Sequence, residues 1–173
     1  MNRYPSLSHQ IKITTMGLKK IFNPRFYNTE RGFQGEFSSN IKAAMISCAD
    51  NDYVLEEEYQ KKYTIHNTKQ RPDLIFHKPA IDSDVTKNNI YVWLFKRNAK
   101  IADIKNDFTK FIELKNILKY RSGIFVNIID KVDFELPLFD MPSELCVVSA
   151  RLINGYPNIK KIMPNKSIHR TAD

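Results

Sequence analysis

The sequence predicts an α/β fold with a mixed central β-sheet flanked by helices, and three observations carry that expectation. Ile90-Tyr-Val-Trp-Leu-Phe95 is apolar nearly throughout, as a strand covered on both faces must be. From Ala99 the apolar period becomes helical, with Ile101, Ile104, Phe108, Phe111, Ile112, Leu114, Ile117 and Leu118 forming a wide stripe. Ile124-Phe-Val-Asn-Ile-Ile129 then returns to a strand pattern. A crossover helix between two apolar strands gives a parallel pair within a mixed sheet, because parallel neighbours need a long connection.

The other elements follow in chain order. Residues 1–27 read as an N-terminal arm with a single helical turn, since Pro5, Ser6, Ser8, Gly17 and Pro24 interrupt any longer pattern. Asn28 and Thr29 can cap a helix over 29–47, with Glu30 in its first turn and Phe33, Phe37, Ile41, Ala44 and Met45 on one face. Asp50-Asn-Asp52 breaks that period, and 53–63 holds too few apolar residues for a buried helix, so a partly exposed strand is expected. Pro72-Asp-Leu-Ile-Phe-His77 is a short β-prone run ended by Lys78-Pro79, and 81–89 is a polar loop. Arg121-Ser-Gly123 marks the end of the long helix, and Leu145-Cys-Val-Val-Ser-Ala150 makes a further strand. The folded domain is therefore expected over 28–155, with 156–173 a solvated basic tail holding Lys160, Lys161, Lys166, His169 and Arg170.

Composition narrows the functional classes. Hydrophobic residues make up 42% and charged residues 27% of the 173 positions, which suits one globular domain with its own core. The net charge of +8 favours polyanionic partners, nucleic acid first among them. Cys48 and Cys146 stand far apart with no metal-ligand spacing, which excludes a disulfide framework and a zinc finger and fits a reduced, cytoplasmic setting. The N-terminus has no apolar signal segment and the chain has no long apolar run, so secretion and membrane insertion are not expected. His9, His66, His77 and His169 show neither HxH nor HExxH spacing, and Walker, GxGxxG and GxSxG motifs are lacking, which excludes nucleotide cofactors and serine-hydrolase chemistry.

Arg71-Pro72-Asp73 heads one apolar strand, and Lys96 closes a second. If those strands pair as a hairpin, an acid and a lysine meet. That combination suits phosphodiester hydrolysis, because a carboxylate can hold Mg²⁺ while an ammonium steadies the attacking water or the developing charge. The basic residues near the two strands, Arg71, Lys78, Arg97 and Lys100, are the candidate nucleic-acid contacts. Alone, the spacing reads first as a surface acid opening one strand and a surface lysine closing another.

Taken with their surroundings, these pieces resemble the PD-(D/E)XK nuclease superfamily over about a hundred residues, from Asn28-Thr-Glu-Arg31 to Gly123-Ile-Phe-Val-Asn-Ile128. The matching pieces are Glu30, Glu58-Tyr59, Arg71-Pro-Asp-Leu-Ile-Phe-His-Lys78, Phe95-Lys96 and Lys119-Tyr-Arg-Ser-Gly-Ile-Phe-Val126. The resemblance implies a restriction-endonuclease-like core and a DNA endonuclease using Mg²⁺ or Mn²⁺. Asp73 would be a metal ligand, the Phe95 backbone carbonyl another, and Lys96 the family lysine. It also allows a homodimer.

One residue departs from the family pattern. The second acid should stand two positions before the lysine, where this chain has Leu94, whose alkyl side chain offers a hard cation no oxygen. Another carboxylate can take that place, with Glu30, Glu58 and Asp107 the candidates. For Glu30 the competing role is to favour the helix N-terminus, for Glu58 a surface salt bridge, and for Asp107 a solvated helix face. The alternative is a nuclease-fold module without catalysis, by natural loss or by an engineered change at Leu94, that binds nucleic acid or a protein partner.

Overall fold

The computed structural model describes residues 6–47, 53–57, 70–79, 88–130 and 141–163. Its elements are α1 (Leu7–Leu18), a 3₁₀ turn (Pro24–Asn28), α2 (Glu30–Ser47), β1 (Val54–Glu57), β2 (Leu74–His77), β3 (Asn89–Arg97), α3 (Ile101–Leu118), β4 (Ser122–Ile128), β5 (Leu145–Ile153) and β6 (Tyr156–Ile162). The six strands lie side by side in chain order. β1, β2 and β3 form an antiparallel meander, β3, β4 and β5 run parallel, and β6 turns back antiparallel to β5. The expected parallel pair across a crossover helix is thus β3 and β4, joined by α3.

The period-two alternation of β3 separates the two cores. Tyr91, Trp93 and Phe95 face α1 and α2, where they meet Phe33, Phe37, Ile41 and Leu18. The Phe37 ring lies edge-on to Trp93 and to Phe95, with centroids 6.2 and 5.4 Å away. Val92 and Leu94 face the other way, onto Ile104, Phe108, Phe111 and Leu114 of α3. A strand sandwiched in this way has no solvent face until Lys96 and Arg97, which is why the run before them is apolar.

α2 begins where its cap sequence indicates, the Thr29 hydroxyl accepting from the Gly32 N–H at 3.0 Å. α3 is held at its start by the Lys100 N–H donating to Asp103 at 2.9 Å. It closes earlier than the expected Arg121-Ser-Gly123 stop, at Lys119, which takes the left-handed conformation with φ of 58° and donates to the Lys115 carbonyl. Ser122 and Gly123 already belong to β4, because the strand starts beneath Phe111, where a Cβ on Gly123 would lie 2.4 Å from the ring.

Both chain ends differ from expectation. The arm is instead the three-turn helix α1, capped by the Ser6 hydroxyl and packed on the sheet through Ile11, Ile13 and Leu18. Its buried face carries polar residues whose partners are distant in sequence. Gln10 donates to the Val92 carbonyl at 3.0 Å and accepts from Ser122 at 2.7 Å, and Thr14 accepts from the Trp93 indole at 2.9 Å. Gly17 lets α1 approach α2, since a Cβ there would fall 2.3 Å from Ile41.

At the other end, the first part of the expected basic tail is β6, paired with β5 from Val147↔Ile162 to Ile153↔Tyr156. Asn154 and Gly155, at φ of 51° and 79°, make the two-residue turn. The expected strand over 53–63 is described only as β1, and the expected loop over 81–89 lies largely outside the described residues. Among the described residues no helix is long and apolar enough to cross a membrane.

Candidate active site

The β2–β3 hairpin sets Leu74 against Trp93, so Asp73 falls beside Leu94, one alternating step from Lys96 on the same face. The two residues singled out from spacing are therefore neighbours at the end of the sheet where β3 and β4 finish. Asp73 is held firmly. Its Oδ2 accepts from the Phe95 N–H at 2.7 Å, and its own carbonyl accepts from the Gln34 amide of α2 at 2.5 Å. Its Oδ1 faces Lys110 Nζ of α3 at 3.6 Å.

Two further carboxylates enter the same field. Glu30, in the first turn of α2, is raised above the usual carboxylate range by burial, with Lys96 opposing and Asp73 adding to the rise. The backbone of Arg97 hydrogen-bonds its carboxylate, and Lys110 also opposes the rise. Asp107 projects from α3, one helical turn before Lys110. It is pushed up to about 6, first by burial, with Lys96 and Lys110 opposing and Asp73 and Glu30 adding.

Asp107 is not on a solvated face, as its place among Lys and Asp residues leads one to expect. It is 7% exposed, and its Oδ2 has no hydrogen-bond partner among the described residues. The reason is helix phase. Asp107 adjoins the core position Phe108, and the strand end it faces carries Lys96, so it is turned toward the sheet without entering the apolar stripe. A buried carboxylate oxygen without a hydrogen-bond partner destabilises a fold, and a functional site is one reason for keeping it.

The other candidates are placed as follows. Leu94 is 1% exposed beneath α3 and packs as an ordinary core residue. The Phe95 N–H, rather than its carbonyl, is the group seen on Asp73. Glu58 lies outside the described residues. Arg71 and Lys100 are exposed and Lys78 is half-buried. Arg97 is partly committed, its Nε donating to the Tyr27 carbonyl at 3.0 Å and its Nη2 to Asp130, which ties the end of β3 to the end of β4.

The arrangement thus gathers three carboxylates and two ammonium groups, on four separate elements, within one electrostatic field. Among the described residues no group of three or more His, Cys, Asp or Glu side chains is set to hold a metal ion. The carboxylates share a field rather than a coordination point. Their donors are oxygens only, and one of them, Asp107 Oδ2, is buried with no hydrogen-bond partner among the described residues. No family model matches the chain, and no curated protein or solved structure matches it either.

Proposed function

We propose that the protein is a Mg²⁺-dependent DNA endonuclease of the PD-(D/E)XK type, in which Asp107 stands in for the acid that Leu94 replaces. The observation that carries the reading is the buried Asp107 side chain, whose Oδ2 has no hydrogen-bond partner among the described residues and whose charge is felt together with those of Asp73 and Lys96. In support, the order helix, antiparallel strands, crossover helix, parallel strand is the core order that the sequence resemblance implies.

Asp73 and Asp107 are the residues that would hold the cation, with Glu30 adding negative charge to the same field. When bound, it would lower the pKa of a water and offset charge on the scissile phosphate. Lys96, whose ammonium lies in the same field as the three acids, orients that water or stabilises the pentacovalent charge. Leu94 and the apolar floor beneath α3 keep bulk water from the inner side of the site and strengthen these interactions. The Phe95 N–H and Gln34 fix Asp73, so it need not reorganise during reaction.

The second reading, a module that binds nucleic acid without cutting it, is favoured by Leu94 alone. A cleavage assay with Mg²⁺ or Mn²⁺ on single- and double-stranded DNA separates the two, comparing the chain with Asp73→Ala and Leu94→Glu. Cleavage that disappears in Asp73→Ala supports the nuclease. DNA retention that weakens with rising salt, with no cleavage by any of the three proteins, supports the module.

A further inference from the structure

The β5–β6 hairpin projects from the same end of the sheet as the acid–lysine cluster. β3, β4 and β5 are parallel, and Arg97 pairs with Ile128, which pairs with Ala150. β5 continues past that level through Arg151, Leu152 and Ile153 before turning at Asn154-Gly155 into β6. Register also fixes which side chains share a face. Lys96, Asn127, Ser149 and Lys160 occupy one row across four strands on the α3 side. The next outward positions on that side of the hairpin are Arg151 and Asn158, and then Ile153 and Tyr156 at the tip.

The chemistry of this surface is one-signed. From Leu145 to Met163 the chain has no Asp or Glu, and Arg151, Lys160 and Lys161 are its charged residues. Lys160 and Asn158 are exposed, and Tyr156, at the tip, is 72% exposed with its ring open to stacking. An exposed tyrosine beside a lysine-bearing strand contributes nothing to packing, but it is the pairing of aromatic platform and cation that binds an unpaired nucleic-acid strand. Three strand spacings separate Lys96 from Lys160, about 14 Å, and the Asn127 and Ser149 side chains between them are buried, so the exposed part of the row is the hairpin itself.

We infer that the β5–β6 hairpin is the docking surface for a single-stranded nucleic-acid segment, with Lys160 on a phosphate and Tyr156 stacked on an unpaired base. This rests on the nuclease reading for the identity of the ligand, and it adds where and in what form the strand lies.

The test measures binding of a short fluorescein-labelled DNA oligonucleotide, as single strand and as duplex, to the full chain in EDTA, which separates binding from cleavage. Tyr156→Ala is expected to weaken single-strand binding on the order of tenfold or more, while Tyr156→Phe retains it. Lys160→Gln is expected to reduce the slope of log K against log salt by about 0.7, one phosphate contact on a single strand. Single-strand affinity unchanged in Tyr156→Ala, equal dependence of duplex binding on Tyr156, or no DNA binding by the chain at all would overturn the inference. Tyr156 and Lys160 are exposed, so both variants should keep the parent melting temperature. A protein that never cleaves but binds through Tyr156 refutes the hydrolytic reading alone. One that cleaves, with Tyr156→Ala neutral for binding, refutes the hairpin alone.

Discussion

Replacing Asp107 by Asn should stabilise the protein at neutral pH while disabling its site. The carboxyl is pushed up to about 6 from 3.8 by burial, so the folded state favours the protonated form. The sign follows from proton binding. Between those values the folded chain holds more proton than the unfolded one, so the contribution to stability is full below about 3.8 and is lost as pH rises through about 6. Above that, keeping the ionised group costs about 2–3 kcal/mol, at 1.36 kcal/mol per pKa unit. An amide of the same shape has no charge to desolvate, though its N–H groups still need partners. In urea unfolding at pH 8, Asp107→Asn should therefore be more stable by about 2–3 kcal/mol, or some 5–10 °C in Tm for a chain of this size. At pH 4 the gain should nearly vanish. A variant no more stable than the parent at pH 8, or equally stabilised at both pH values, would refute the claim that a buried carboxylate with a raised pKa sits at this position.

Three other perturbations follow from the same geometry. Leu94→Glu places a carboxylate in a site that is 1% exposed and beside Asp73, so thermal melts in EDTA should show a loss of several kcal/mol. Mg²⁺ should restore part of that loss, and a Leu94→Glu melt indifferent to Mg²⁺ would argue against a cation position there. Asp73→Ala leaves the Phe95 N–H without its acceptor, and should destabilise by about 1–3 kcal/mol in denaturant titration. Gly123→Ala drives a methyl to within 2.4 Å of the Phe111 ring and should lower stability by about 1–3 kcal/mol, measured as a shift in midpoint without change of slope.

How much of this was legible in the sequence depends on how local each determinant is. β3, α3 and β4 could be read because their residues declare burial by period alone, and the Asp73–Lys96 meeting followed from a hairpin between two such runs. α1 could not be read the same way. Its buried face includes Gln10 and Thr14, which look solvated until Val92, Ser122 and Trp93 supply their partners from some eighty to a hundred and ten residues away. β6 left a signal that went unused, Asn154-Gly155 between two β-prone runs, because the lysines around it suggested a tail. An edge strand carries lysine on its exposed positions for a reason of its own, to discourage pairing with other chains.

Asp107 is the instructive case within the site. A carboxylate between Asn106 and Phe108 on an amphipathic helix is ordinarily solvated, and the boundary of an apolar stripe is where helix phase is least certain. Only the placement of Lys96 at the facing strand end shows why an acid is kept there. Leu94 had marked the missing ligand by its side chain. The replacement proposed for it, Asp107, stands on α3 eleven positions after the lysine, where no spacing rule points to it.

The most direct test of that assignment is the single-turnover rate of DNA cleavage in Mg²⁺ at pH 8, for the parent chain and for Asp107→Asn. The expected result is a loss of at least about a hundredfold in a protein that is more stable than its parent, since the proposed metal ligand would be gone while the fold has gained. Cleavage at the parent rate by a stabilised Asp107→Asn would contradict the account, leaving Asp107 a buried charge with no part in the chemistry.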